Sequence, residues 1–252
     1  MEETMDTRTR MMLGDDGANR LHQATVAVFG VGGVGSFAVE ALARAGVGKL
    51  LLCDSETVAP SNINRQLVAY QNTVGRLKVE VAKERIASIN PDCVVETFPF
   101  FFGEETLEQF PFACCDYVID AIDSVPSKLL LIETCARQNI PMISCMGAGN
   151  KLDPTRFRVG DIYQTSVCPL AKAIRTQCRK RGIWKLKVVW SEELPVHPPR
   201  VEGKPNPPGS VSFVPSVAGL ILGHLVRAVG KTKEAGIGLS IGGIMNIILD
   251  PI

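Results

Sequence analysis

A chain of 252 residues, 46% apolar, can bury one large α/β core or two small ones, and a formal charge of +1 excludes a chain that is basic overall. Neutrality still permits a local basic patch. The start, Met1 to Asp6, is acidic without an apolar run, so no secretory signal is expected there and the reading is a cytoplasmic chain. The eight cysteines include Cys53, Cys93 and Cys145 inside strand-like runs and form no CxxC pair; they are read as reduced and buried, without a four-cysteine zinc site.

Residues 25–30 form a β-rich run ending in glycine, and 34–45 follow with helical spacing. Residues 49–54 read as a second strand. Residues 77–89 read as a helix closed by Asn90-Pro91. Strands are expected at 93–98, 117–121 and 141–145, with a helix over 127–138 between the last two. Beyond Gly149 the rhythm changes to a strand at 156–163, a helix at 169–181 and a strand at 186–190. Residues 194–209 hold six prolines and two glycines and read as an exposed loop. The apolar stretch 211–229 is near the length of a membrane span but is interrupted by Ser212, Pro215, Ser216, His224 and Arg227. A buried or dimer-interface helix is the better reading. The alternation predicts a Rossmann-like, mostly parallel sheet with helices on both faces, extended by further strands and helices in the C-terminal half. It is read as one domain: an arm over 1–24, a nucleotide-binding core over 25–149 and a substrate or dimer extension over 150–252.

Gly30, Gly32, Gly33 and Gly35 lie between the first strand and the first helix, where the backbone can approach phosphate and a helix N-terminus favours negative charge. Asp54 ends the second strand, placed to accept hydrogen bonds from ribose hydroxyls. Alone, these features specify a nucleotide, with NAD the default. The block Ser61, Asn62, Ile63, Asn64, Arg65, Gln66 and then Lys78 argue otherwise, because two cations and several amides aimed at one pocket suit a triphosphate. Of Asp120 and Asp123, three apart at the end of the fourth strand, Asp123 is the candidate magnesium ligand. Asp120 is read as structural, satisfying loop amides.

Together the glycine loop, Asp54, the 61–66 block, Lys78 and Asp123 resemble the ATP site of the ubiquitin-activating superfamily, which includes the molybdopterin and thiamine adenylyltransferases. Residues 41–48, 72–75, 85–91, 117–124, 147–149 and 153–155 resemble its tRNA threonylcarbamoyladenosine dehydratase branch. That resemblance implies ATP-dependent cyclisation of a modified tRNA adenosine through an adenylated carboxylate. Arg65 and Lys78 would contact phosphates, and Asp123 with magnesium would meet the leaving pyrophosphate. It also implies an N-terminal arginine from the partner of a homodimer. Arg8 is the candidate, with Arg10 and Arg20 as alternatives. A monovalent cation site and a sulfur-transfer protein partner stay open.

Residues 172–187 hold Lys172, Arg175, Arg179, Lys180, Arg181, Lys185 and Lys187 with no acid among them. With Trp184 inside the run and Trp190 after it, this is the expected tRNA surface. Cys168, near a helix start, is the most plausible reactive thiol, although the branch carries aspartate there and needs no enzyme nucleophile. Rival readings are an activating enzyme for a small sulfur-carrier protein, an NAD-dependent oxidoreductase and a non-catalytic adaptor.

Overall fold

The computed structural model describes residues 3–196 and 208–224. Seven strands form one sheet: β1 (Thr25–Phe29), β2 (Lys49–Cys53), β3 (Val94–Phe98), β4 (Tyr117–Asp120), β5 (Met142–Cys145), β6 (Phe157–Asp161) and β7 (Lys187–Ser191), in the order β3-β2-β1-β4-β5-β7-β6. All neighbours are parallel except β6, which runs against β7 with Val159 opposite Val189. The central strand β1 pairs Ala27 with Leu51 on one side and with Val118 on the other. Its continuous Val-Ala-Val-Phe run is the mark of a strand covered on both faces.

The helices are α1 (Thr7–Gln23), α2 (Gly35–Ala45), α3 (Lys78–Ile89), α4 (Val125–Gln138), α5 (Pro169–Lys180) and α6 (Phe213–His224). Because side chains alternate across a strand, Val26, Val28, Leu50 and Leu52 pack with Ala38, Leu42, Val79, Ala82, Ala218 and Leu222 of α2, α3 and α6. Ala27, Phe29, Leu51 and Val118 point the other way, onto Leu131 and Cys135 of α4 and a cluster of phenylalanines. Phe29 lies 4.8, 4.5 and 5.7 Å from the ring centroids of Phe102, Phe110 and Phe112. Those rings fold residues 99–115 back over the sheet as the short 3-10 turns Glu104–Gln109 and Phe112–Cys114, which have no periodic signature in the sequence.

The expected strands and helices of the core are all present, within a few residues of the predicted bounds. Helix α4 starts at Val125 because Pro126 fits its first turn. The arm is the main addition: α1 is two helical segments joined at Gly14 (φ 70°, ψ 170°), and they fold back on each other. Arg10 donates to Asp6, Asp15 and Asn19, and the Asp6 carboxylate lies 3.2 Å from His22 Nε2.

Over its described part the apolar stretch is a helix packed within the chain. A Cβ on Gly219 would lie 2.2 Å from the Val34 carbonyl oxygen, and one on Gly223 would lie 2.7 Å from Ala41 Cβ. Helices α6 and α2 therefore touch backbone to backbone, and Val214, Ala218 and Leu222 are fully buried. Among the described residues no helix is long and apolar enough to cross a membrane. Residues 225–229 of that stretch and 197–207 of the proline-rich loop lie outside the described residues.

Candidate active site

The site is built where β1, β2 and β4 end. Gly30 leaves β1 with φ 86°, and a Cβ there would stand 2.7 Å from the Ala121 carbonyl oxygen. A Cβ on Gly35 would stand 1.7 Å from the Gly30 carbonyl oxygen, so the turn into α2 closes only with glycine at both positions. Gly32 is different: a Cβ there would meet only Gln66 Nε2, at 3.8 Å, leaving an open concave face.

Asp54 fastens the turn to β2. Its Oδ2 accepts from the Val31 amide at 2.7 Å and its Oδ1 from the Glu56 amide at 2.8 Å. Burial raises the carboxyl above its ordinary range, opposed by those amides and by the nearby Lys78 charge. A carboxylate has about four acceptor positions, so lone pairs remain for ribose hydroxyls.

The 61–66 block is carried back to the glycine turn by the Leu67 amide, which donates to Ser36 Oγ at 3.1 Å. A Cβ on Gly33 would lie 3.3 Å from Arg65 Cγ, which sets the arginine stem against the loop. The guanidinium donates to the Ser61 carbonyl and to Asn64 Oδ1 at 2.8 and 3.0 Å. Asn64 also donates to the Ser210 carbonyl at 2.9 Å, joining the block to the segment before α6. Asn62 Oδ1 accepts from the Ala59 amide and shapes the turn, while Ser61 is exposed. Gln66 is buried with no hydrogen-bond partner at Oε1. A buried acceptor left open beside a glycine turn favours a ligand that donates.

Lys78 opens α3 and is almost wholly buried; its ammonium donates to the Glu56 carboxylate, which is itself largely exposed. Glu56 is a member of the site that the sequence reading missed. Its position two residues after Asp54 was the available signal. Asp123 is exposed just beyond β4, between Ile122 and the start of α4. The structural role expected for Asp120 holds: Oδ1 accepts from the Ile122 amide at 3.0 Å, as foreseen for loop amides. Its Oδ2 accepts from Lys128 and Ser144, a buried network that was not foreseen.

The open glycine face, Asp54, Gln66, Arg65 and Lys78 thus occupy one sheet edge, and Asp123 flanks it. The chain matches the ThiF family over residues 7–239. The tRNA threonylcarbamoyladenosine dehydratase of Bacillus subtilis (strain 168) is 48% identical over 242 residues, covering 90% of this chain and 95% of that protein. The chain belongs to the tRNA threonylcarbamoyladenosine dehydratases of the ThiF family. The Escherichia coli (strain K12) dehydratase is 40% identical over 198 residues, covering 75% of this chain and 74% of its own. Crystal structures of E. coli tRNA N6-threonylcarbamoyladenosine dehydratase, TcdA, in complex with ATP and with AMP have TM-scores of 0.83 and 0.82 at 35% identity. They cover 92% and 90% of this chain and 95% and 94% of the solved chains. These likenesses to ATP-binding dehydratases disfavour the carrier-protein reading.

Arg8 is not at this edge. It is exposed on α1, two residues from Asp6, whose partner His22 stands over Gly46 and Gly48 at the amino ends of the strands. The length of β1, about 16 Å for five residues, separates it from the glycine turn of its own chain. Arg10 donates to Asp6, Asp15 and Asn19 within the arm.

The basic run needs two corrections. Arg175 is half-buried and donates to the Thr165 carbonyl and hydroxyl, bracing α5 against the preceding turn; it is not a free phosphate contact. Trp190 is buried in β7 beside Gly160 and cannot stack on a base. Arg181 lies on the surface, paired with Glu133, whereas Lys172, Arg179, Lys180, Lys185 and Trp184 are exposed. Cys168 is buried at the start of α5 with its thiol beside Gly147, a poor setting for a nucleophile. Burial pushes the thiols of Cys53 and Cys145 up to about 12 and that of Cys93 to about 11, in line with inert core cysteines.

Proposed function

We infer that the chain uses ATP to close the threonyl side chain of threonylcarbamoyladenosine in tRNA into a ring, with net loss of one water. One carboxylate oxygen attacks the α-phosphorus of ATP, the bond to the β-phosphate oxygen breaks, and pyrophosphate leaves. The ureido group of the same side chain then attacks the activated carbonyl and expels AMP, which carries away the carboxylate oxygen. Both nucleophiles come from the substrate. The buried state of Cys168 agrees with a reaction that needs no enzyme thiol.

The protein's task is charge neutralisation and alignment. The observation that supports the reading is that the Arg65 stem lies against Gly33 and the Lys78 charge acts on Asp54, the carboxylate pinned to the same glycine turn. Asp54 would take the ribose, and Gln66 Oε1 a donor of the nucleotide. Lys78 would exchange its bond to Glu56 for phosphate oxygens. Asp123, an exposed hard oxygen donor, would hold magnesium together with phosphate oxygens and water; the ion would neutralise the departing pyrophosphate. Arg8 would reach the phosphates of a second copy, which makes the active species a homodimer.

The deciding experiment is mass spectrometry of tRNA nucleosides after incubation with protein, ATP and magnesium. The expected product is threonylcarbamoyladenosine lighter by one water. If pyrophosphate exchange were driven instead by a Gly-Gly carrier peptide and not by modified tRNA, the substrate assignment would be wrong and the adenylation site would stand.

A further inference from the structure

Trp184 is 68% exposed, yet the turn that carries it is fixed on both sides. Tyr163 Oη donates to the Ile183 carbonyl at 2.6 Å. The Asp161 carboxylate accepts from the Tyr163 amide at 2.9 Å with one oxygen and from the Leu186 amide at 3.0 Å with the other. The Ile162 amide donates to the Leu186 carbonyl at 2.9 Å. The indole and the Tyr163 ring are stacked, 6.3 Å between centroids and 28° between planes, and the Arg179 guanidinium lies 5.5 Å from the Tyr163 centroid. Lys180 and Lys185 are exposed on either side of Trp184 in the sequence, while Lys172 sits near the start of α5. A large flat ring held open to water on a turn with three backbone anchors, with a guanidinium against its Tyr163 backing and the exposed Lys180 and Lys185 close to it in the chain, is complementary to a polyanion that carries π faces. Single-stranded nucleic acid meets both requirements.

We propose that Trp184, backed by Tyr163 and Arg179, is a stacking platform for an unpaired base of the RNA substrate. The platform deepens the tRNA reading and rests on it. It takes a nucleotide other than the reacting one. Helix α5 starts beside Gly147 at the ligand edge and spans about 18 Å, and Trp184 follows its far end, at the amino ends of the strands. The platform therefore supplies affinity and register at a distance from the chemistry.

The indole itself reports the contact, because the other tryptophan, Trp190, is buried. Titration with a short single-stranded oligoribonucleotide should quench the fluorescence of the full protein, and a duplex of equal length should quench it far less. Trp184→Leu should abolish the quench and raise KM for tRNA about tenfold or more while ATP affinity stays level. Lys180→Gln should weaken single strands and duplexes alike and reduce the salt dependence of binding. An unchanged KM in Trp184→Leu would overturn the platform, as would quenching by an acidic peptide in place of RNA, which would make this a protein-docking face. If wild-type protein converts tRNA while Trp184→Leu matches it in every measurement, the platform alone is wrong. If wild-type protein leaves the modified nucleoside intact, the dehydratase reading fails first.

Discussion

Lys128 Nζ lies 2.8 Å from Asp120 Oδ2, with both side chains fully buried, directly beneath the turn that carries Asp123. Lys128 also donates to the Cys145 carbonyl at 3.0 Å, and Ser144 Oγ donates to the same aspartate oxygen at 2.5 Å. The network joins β4, β5 and α4. Asp120 spends its second oxygen on the Ile122 amide, so the ion pair fixes the backbone just before Asp123.

Lys128→Met should therefore destabilise the fold by about 3–5 kcal/mol, because it leaves a buried carboxylate without its cation. Chemical denaturation followed by circular dichroism measures this. Asp120→Leu combined with Lys128→Met should recover a large part of the loss, since neither charge then remains. A double variant less stable than the sum of the single ones would contradict the ion-pair account.

The glycines should separate into two classes. Gly35→Ala forces a Cβ to 1.7 Å from the Gly30 carbonyl and should disrupt the turn, lowering both melting temperature and ATP affinity. Gly32→Ala meets nothing nearer than 3.8 Å, so the fold should hold. Its methyl group would still occupy the concave face offered to phosphate, and ATP affinity should fall about tenfold or more, a difference near 1.4 kcal/mol. Calorimetry beside thermal melts distinguishes the classes; equal ATP affinity in Gly32→Ala would mean that phosphate does not use this face.

The sheet and its nucleotide edge were legible because they rest on local rules. A strand buried on both faces is written as a continuous apolar run, a phosphate turn as glycines, and a helix end as Asn90-Pro91. What escaped depends on contacts between distant segments. The 99–115 turns are held by phenylalanines on Phe29, with no period of their own to read. Glu56 and Lys128 matter through partners in space. Arg175 and Trp190 look like surface residues by type, and only the packing of α5 and β7 shows them engaged with the protein.

Asp54 predicts a pH dependence with a definite sign. Its folded carboxyl titrates above the ordinary 3.8, chiefly through burial. Between that value and the raised one the folded state binds more protons than the unfolded state, so this group makes stability fall as pH rises. Asp54→Asn should flatten that slope, while losing one of the two acceptors that hold the Val31 and Glu56 amides should cost about 1 kcal/mol of stability at neutral pH. ATP affinity should drop at neutral pH, because a carboxylate that accepts from ribose has been lost. In the wild type, ATP binding should strengthen as pH climbs through the Asp54 titration. Melts and ATP titrations over the acid range test both trends, and a steeper stability slope in Asp54→Asn would contradict the burial argument.

Arg8 makes the strongest demand on assembly. Its own glycine turn is a strand length away, and the arm is folded back by the contact between Asp6 and His22. Arg8→Ala and Asp123→Ala should each abolish most cyclisation, by different routes: one removes a cation donated to the neighbour, the other a metal ligand of the same chain. Mixed under conditions that let subunits exchange, the two inactive proteins should recover part of the activity. Each mixed dimer has one site with Asp123 in place and an intact Arg8 supplied across the interface. Equal mixing with no recovery, in a sample shown by native mass spectrometry to contain the heterodimer, would mean that Arg8 does not act on the partner's ATP.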